Sequence, residues 1–281
     1  MTKTIKTKPG PGQKPFTPGE EFVDNAAAQG AKVIDLGELL STVTMYTYFN
    51  SWIVGLSPLI VHAWSHKAKI QMLQGQVKAV RGKGKEQRNP DQDFVDSLYR
   101  MGKDDQGKDI FGFPVTGIKK AILGAAHKDK GLAKTAALSN LWIEGKLVRV
   151  PTAAKNAICD IPLVRLYGSD PQMREDMVRI GSGLNKTANL AYRGQFDQWA
   201  VRIRGQYNNA AITHHALSSL LTDSGIATGI GEWRNEKNGV FGSFRIATPK
   251  EAADWTAFAE GRGPLPKAEG YSMLERAIAA E

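Results

Sequence analysis

Two pairs of histidines are the residues whose spacing is best suited to chemistry. His62 and His66 stand four apart, which on a helix would turn both imidazoles to one face, as a zinc ion requires. No third ligand sits at a useful spacing and Pro58 lies just upstream, so a zinc pair there is disfavoured. His214 and His215 open an apolar-periodic run. There an imidazole could serve a phosphodiester as general acid or base, or simply belong to the capping region of a helix and face solvent. Asp104, Asp105 and Asp109 lack the alternation and terminal glutamate of a calcium loop and read as a plain loop. Cys159 is the sole cysteine, which excludes an internal disulfide and any zinc site built on several thiolates. There is no Ser/His/Asp order, nucleotide-binding loop or paired carboxylate. The expectation is a protein without metal or cofactor, a binder rather than an enzyme.

Cations and aromatics are patterned more strongly. Lys plus Arg total 37 against 28 Asp plus Glu, a formal net charge of +9, and such an imbalance draws polyanions. The densest cluster holds Lys67, Lys69, Lys78, Arg81, Lys83, Lys85 and Arg88 with only Glu86 opposing them. It is either a phosphate-contacting patch or a solvated lysine-rich face. Arg202 and Arg204 alternate with Trp199, Val201 and Ile203, which puts two guanidinium groups side by side on the outer face of a strand, a geometry suited to phosphate oxygens and to stacking on bases. Tyr46 and Tyr48 alternate with Val43, Met45 and Phe49; they either stack on bases or pad a second core layer. Gly229, Gly231, Trp233 and Arg234 lie in a glycine-rich segment running from Gly225 to Gly242. Glycines there permit close backbone approach and Trp233 offers a stacking plane beside a charge, while helix termination with tight packing explains the same residues structurally. The segment is not a Walker loop, since no Gly-Lys-Ser/Thr closes it, nor does it follow a strand as a dinucleotide fingerprint must.

The elements that must position these residues follow from periodicity. With 42% hydrophobic residues in 281, the chain can bury a sizeable core. Residues 1–30, with Pro9, Pro11, Pro15 and Pro18 among Lys, Thr and Gly, predict a flexible basic arm. Alternation predicts strands at 42–49, 147–150, 161–166 and 198–207, and Ile53 to Trp64 reads as strand and turn. Helical spacing of Ile70, Leu73, Val77 and Val80 predicts a helix over 65–80. Two stripes, Phe94/Leu98/Met101 and Ile118/Ala121/Ile122/Ala125, predict an inserted helical subdomain over 91–140, made basic by Lys119, Lys120, Lys128, Lys130 and Lys134. Thr213 is a candidate N-cap for a helix burying Ala216, Leu217, Leu220 and Leu221. Thr248-Pro249-Lys250-Glu251 is a capping box opening a C-terminal helical tail over 249–281, with a second short helix from Ser272. Core segments are thus expected at 31–90 and 141–248. Neither a leader nor a membrane-spanning run is visible, so the cytoplasm, a host's if the protein is viral, is the expected location.

In two places the chain resembles the repeat-associated mysterious protein superfamily, which supplies guide-RNA-binding backbone subunits of CRISPR effector complexes. One is Ile53-Val-Gly-Leu-Ser-Pro-Leu-Ile-Val-His62 running into the helix with Lys67 and Lys69; the other is the Gly225–Gly242 loop after the second core helix. The Gly-Ile-Gly-Glu-Trp-Arg ending is also similar to uncharacterised phage and mobile-element proteins. The resemblance covers about one seventh of the chain. It implies an α+β fold, a ferredoxin-like or RRM-like four-stranded antiparallel sheet with two helices behind it and 91–140 as a thumb. It also implies binding of single-stranded RNA or DNA without sequence preference by side-by-side copies in a homo-oligomer or filament, with Lys67, Lys69, Gly229, Gly231, Trp233 and Arg234 carried over as contacts. Two alternatives stay open: a metal-independent endoribonuclease of the same fold using His214 or His215, and a viral structural or assembly protein.

Overall fold

A computed structural model of the chain describes residues 46–76, 89–129, 134–180 and 187–266. The predicted N-terminal arm, the tail helix from Ser272 and the basic residues Lys78, Arg81, Lys83 and Lys85 lie outside the described residues. The architecture is α+β. Eleven strands and six helices are formed among the described residues, and every strand pair is antiparallel. No helix among them is long and apolar enough to cross a membrane.

The two central strands are the ones whose alternation the sequence shows best. β1 (Tyr46–Gly55) alternates exposed and half-buried residues and is wholly buried from Trp52 to its end. β10 (Trp199–Asn208) pairs with it from Tyr46↔Asn208 to Val54↔Ala200. On β10 the residues at 199, 201, 203, 205 and 207 are buried while Arg202, Arg204, Gln206 and Asn208 are not, the signature of a sheet with one wet face. Around this pair stand β11 (Phe244–Ile246) beside β1, then β7 (Asp160–Gly168), β4 (Asp109–Pro114) and β3 (Arg100–Lys103) beyond β10. β5 (Leu141–Ile143) pairs with the far end of β10, and β6 (Lys146–Arg149) with β7. A second sheet is formed by β2 (Leu59–Val61), β9 (Thr187–Phe196) and β8 (Gln172–Ile180).

Helices α3 (Val115–Asp129) and α5 (His214–Ala227) cover one face of the large sheet. Their apolar stripes, Ile118, Ala121 and Ile122 on α3 and Leu217, Leu220 and Leu221 on α5, join Ile53, Val201, Ile203 and Phe244 in one core. Thr213 caps α5 as its sequence predicts, its hydroxyl accepting from the Ala216 N–H at 3.1 Å. The short helices α1 (His66–Gln76), α2 (Pro90–Ser97) and α4 (Lys134–Asn140) lie on the connections. α6 (Pro249–Ala259) packs on the opposite face of the sheet through a smaller core of Trp52, Val54, Ala200 and Trp255. Its capping box forms as read from the sequence.

The 91–140 stretch is not a separate helical insertion. The stripe ending in Leu98 and Met101 leaves α2 at Ser97 and enters the β3–β4 hairpin, β4 joins the main sheet on β7, and α3 belongs to the main core. Asp104 accepts backbone N–H groups from Gln106 and Lys108 and so shapes the hairpin turn.

Candidate nucleic-acid interface

Because side chains alternate along a strand, the register across β1, β10 and β5 fixes what shares the open face. Direct partners across an antiparallel pair lie on one side. Tyr46 faces Asn208; Tyr48 faces Gln206, which faces Trp142 on β5; Asn50 faces Arg204; and Trp52 faces Arg202. Tyr48 is 77% and Trp142 55% exposed, a state that apolar rings of this size reach only where no core claims them. The tyrosines expected on the outer face of β1 are therefore beside the arginines expected on the outer face of β10.

More cations join them from β6 and β7. Lys146, Arg165, Arg202 and Arg204 line one recess of about 230 Å³ over the sheet, with Glu144 and Leu163. Among the described residues none of these four is ion-paired. The Arg165 guanidinium lies 4.7 Å from the Tyr167 ring centre. Arg202 lies 6.0 Å from Trp52 and donates from Nε to Asn50 Oδ1 at 2.9 Å. Both are thus oriented without being neutralised. Arg202 also borders a second recess with Asn50, Trp52 and Arg262 along α6, where Arg262 is paired with Glu260. Trp142, Lys146 and Arg165 escape the sequence reading. Arg165 alternates with Val164 and Leu166 inside a segment recognised as a strand, so its outward position was legible. β5 is three residues long, too short for periodicity to show Trp142.

The glycine-rich segment is elsewhere and is built as a structural arch. Gly229, Gly231 and Gly242 have φ of 70, 82 and 66°. The Ile230 N–H donates to Gly242 O at 2.9 Å, Glu232 N–H to Ile60 O at 2.9 Å and Gly242 N–H to Pro58 O at 2.8 Å, which docks the arch on β2. The Arg234 guanidinium, expected to meet phosphate, donates from Nε and Nη2 to Glu236 at 3.0 and 2.7 Å and from Nη1 to Gly231 O at 3.1 Å. It closes the turn on itself. Trp233 remains 39% exposed. The arch and α3 enclose a cleft of about 470 Å³ that includes His62, Tyr99, Lys120 and Glu232. There His62 Nδ1 lies 3.7 Å from Glu232 Oε1. The neighbouring His62 imidazole holds the Glu232 carboxyl below its ordinary range against the effect of burial, and Arg193 adds to the pull. Burial, then Glu232, pushes the Tyr99 phenol up.

The remaining candidates are dispersed. Lys69 Nζ donates to Pro151 O at 2.9 Å, and Lys67 on the same helix has partners of its own. His66 opens α1 and bonds Thr152 O at 3.0 Å, while His62 lies before the helix, so the two imidazoles share no face. His214 meets Tyr207 Oη at 3.3 Å at the start of α5. The glycine-rich arch begins beyond the other end of that 14-residue helix, about 20 Å away at 1.5 Å per residue, which corrects the expected proximity of His214 and His215 to the loop. Among the described residues no group of three or more His, Cys, Asp or Glu could hold a metal ion.

No protein-family model and no curated protein matches the chain. Among solved structures it is similar to a chain of the Type III-B Cmr-beta structure bound to cognate target RNA, with 10% identity and a TM-score of 0.36 over 83% of this chain, spanning 66% of that chain's length. It is also similar to Cmr6 from Pyrococcus furiosus, with 11% identity and a TM-score of 0.32 over 73% of this chain and 100% of that one.

Proposed function

We propose that this protein binds single-stranded nucleic acid on the open face of its large sheet. One observation carries the reading: exposed Tyr48 and Trp142 share a face, through register, with Lys146, Arg165, Arg202 and Arg204. An unpaired strand offers what such a face lacks, a line of phosphates for the cations and free base planes for the rings. A duplex hides its base planes and would engage only the cations. The cationic part is indifferent to sequence, and copies side by side along one strand complete the proposal.

Titrating labelled RNA and DNA oligonucleotides against salt tests it. Each phosphate contact adds about 0.7 to the log-log slope on a single strand, so all four cations together give a slope of about −3. Arg202→Ala combined with Arg204→Ala should lower its magnitude by about 1.4. Binding that is insensitive to salt, or to that pair of substitutions, would reject the reading. Lengthening the oligonucleotide and counting copies per strand by ultracentrifugation tests the side-by-side arrangement.

One observation favours a second reading, RNA cleavage in the cleft beside the glycine-rich arch. His62 there has a carboxylate partner and lies with Tyr99 and Lys120, the residue types general acid–base catalysis uses. Cleavage of labelled RNA in chelator, abolished by His62→Ala, is the result this reading requires.

A further inference from the structure

Of the amide side chains on the open face, two are already used. Asn208 donates to Asn140 Oδ1 at 3.0 Å and accepts from the Ala210 N–H at 3.0 Å, and Asn50 accepts from Arg202. Gln206, half-buried on β10 two residues before Asn208, makes no side-chain hydrogen bond among the described residues. It is flanked directly by Tyr48 on one side and Trp142 on the other. Neighbouring strands lie about 4.8 Å apart, so the Cα atoms of these two aromatics are separated by about 10 Å with Gln206 midway. Enclosing one flat base requires about 7 Å between ring planes, two contacts of about 3.5 Å. Rings that lean inward over Gln206 would meet that width, and among the described residues neither ring packs against another ring.

The geometry points to a clamp for one unpaired nucleobase, in which Tyr48 and Trp142 sandwich the base and the Gln206 amide reads its edge. This rests on the open face being the nucleic-acid interface, and it goes further in naming a specificity-determining residue. A primary amide presents one acceptor and two donors, so it pairs bidentately with a base edge that offers a donor beside an acceptor, as glutamine does with adenine. Arg204 lies one row away, two residues along β10 or about 7 Å, within reach of the phosphate flanking the held base. Glu144, on the same face next to Arg204, repels that phosphate if it shifts the other way.

The full chain is titrated with fluorescent 15-mers of adenylate, cytidylate and uridylate and with an abasic strand of the same length and charge. Expected are unequal affinities for the three homopolymers, a weaker abasic complex by about fivefold to a hundredfold, and convergence of the three affinities in Gln206→Ala with the salt slope unchanged. Tyr48→Phe should retain binding, while Tyr48→Ala and Trp142→Ala should each reduce it toward the abasic level. Equal affinity for the homopolymers and the abasic strand, with a steep salt slope, overturns the clamp but leaves the cationic interface standing. A base preference that survives in Gln206→Ala overturns the assignment of Gln206. Absence of binding to any of these strands at low salt overturns the interface itself and the clamp with it.

Discussion

Gly231 and Gly242 show how a residue that looks functional in a sequence can be explained by space. A Cβ on Gly231 would come 2.4 Å from Ile60 O, and one on Gly242 would come 1.7 Å from Ile230 O, while both backbones have positive φ. Each position therefore excludes a side chain twice, by contact and by conformation. Gly231→Ala is predicted to cost about 1–3 kcal/mol of stability, seen as a lower urea midpoint. Its affinity for oligonucleotide at a temperature where the variant is folded should be close to that of the unsubstituted chain. Loss of affinity without loss of stability would return the glycine-rich arch to the binding surface. Arg234 follows the same logic: its donors are occupied by Glu236 and Gly231 O, so the charge that makes it attractive as a phosphate contact is already balanced.

Among the elements, α6 decides how much of the sheet is open. Trp255 is 1% exposed and stacks near Trp52 at 6.2 Å between ring centres, and Trp52 Nε1 donates to Thr256 Oγ1 at 3.1 Å. Glu251 ties the start of the helix to β11, accepting from Arg245 Nη1 and Nη2, both at 2.7 Å. The Arg245 bonds, helped by Thr248, hold the Glu251 carboxyl at about 2 against an ordinary 4.5, over the opposing effect of burial. Its folded value is depressed, so the contribution is complete above about 4.5 and is lost as pH falls from there to about 2. Lowering the pH through that window should weaken stability, followed by near-ultraviolet dichroism of the Trp52–Trp255 pair, and Glu251→Gln should flatten that acid limb. An identical acid limb in the variant would show that other carboxylates control it. The capping box of this helix, the cap of α5 and the alternation of β1 and β10 were all legible because each signal is local and long enough to repeat. The β8–β9 ribbon was not. Its residues Met173, Met177 and Leu190 are exposed and its charged residues Arg174 and Asp176 pair with each other, so neither face carries the apolar period that marks a strand. Nor could sequence show that residues 91–140 feed a strand into the main sheet, since that depends on the long-range pairing of β4 with β7.

At the scale of the whole molecule, the proposed function makes one sheet both scaffold and contact surface, with the two tasks on opposite sides of the same strands. β10 shows the division residue by residue. Val201, Ile203 and Tyr207 are buried against the helices, while Arg204 is exposed and Gln206 half-buried on the other side. Substitutions on the two sides should therefore separate cleanly. Tyr48→Ala, Trp142→Ala and Arg204→Ala remove little buried area and should leave the thermal midpoint within about 2 °C, since a change under about 0.5 kcal/mol is usual for surface positions. Each should nevertheless weaken oligonucleotide binding. Trp255→Ala, which empties a site 1% exposed, should cost about 3–5 kcal/mol and lower the midpoint by roughly 10 °C or more. Because Trp255 is not among the residues lining the recess of Lys146, Arg165, Arg202 and Arg204, any binding the variant retains below its melting range should keep the salt slope of the unsubstituted chain. Plotting midpoint against affinity for the four variants then gives two groups on different axes. A single line, with binding lost only as stability is lost, would mean that the open face contributes nothing beyond being folded.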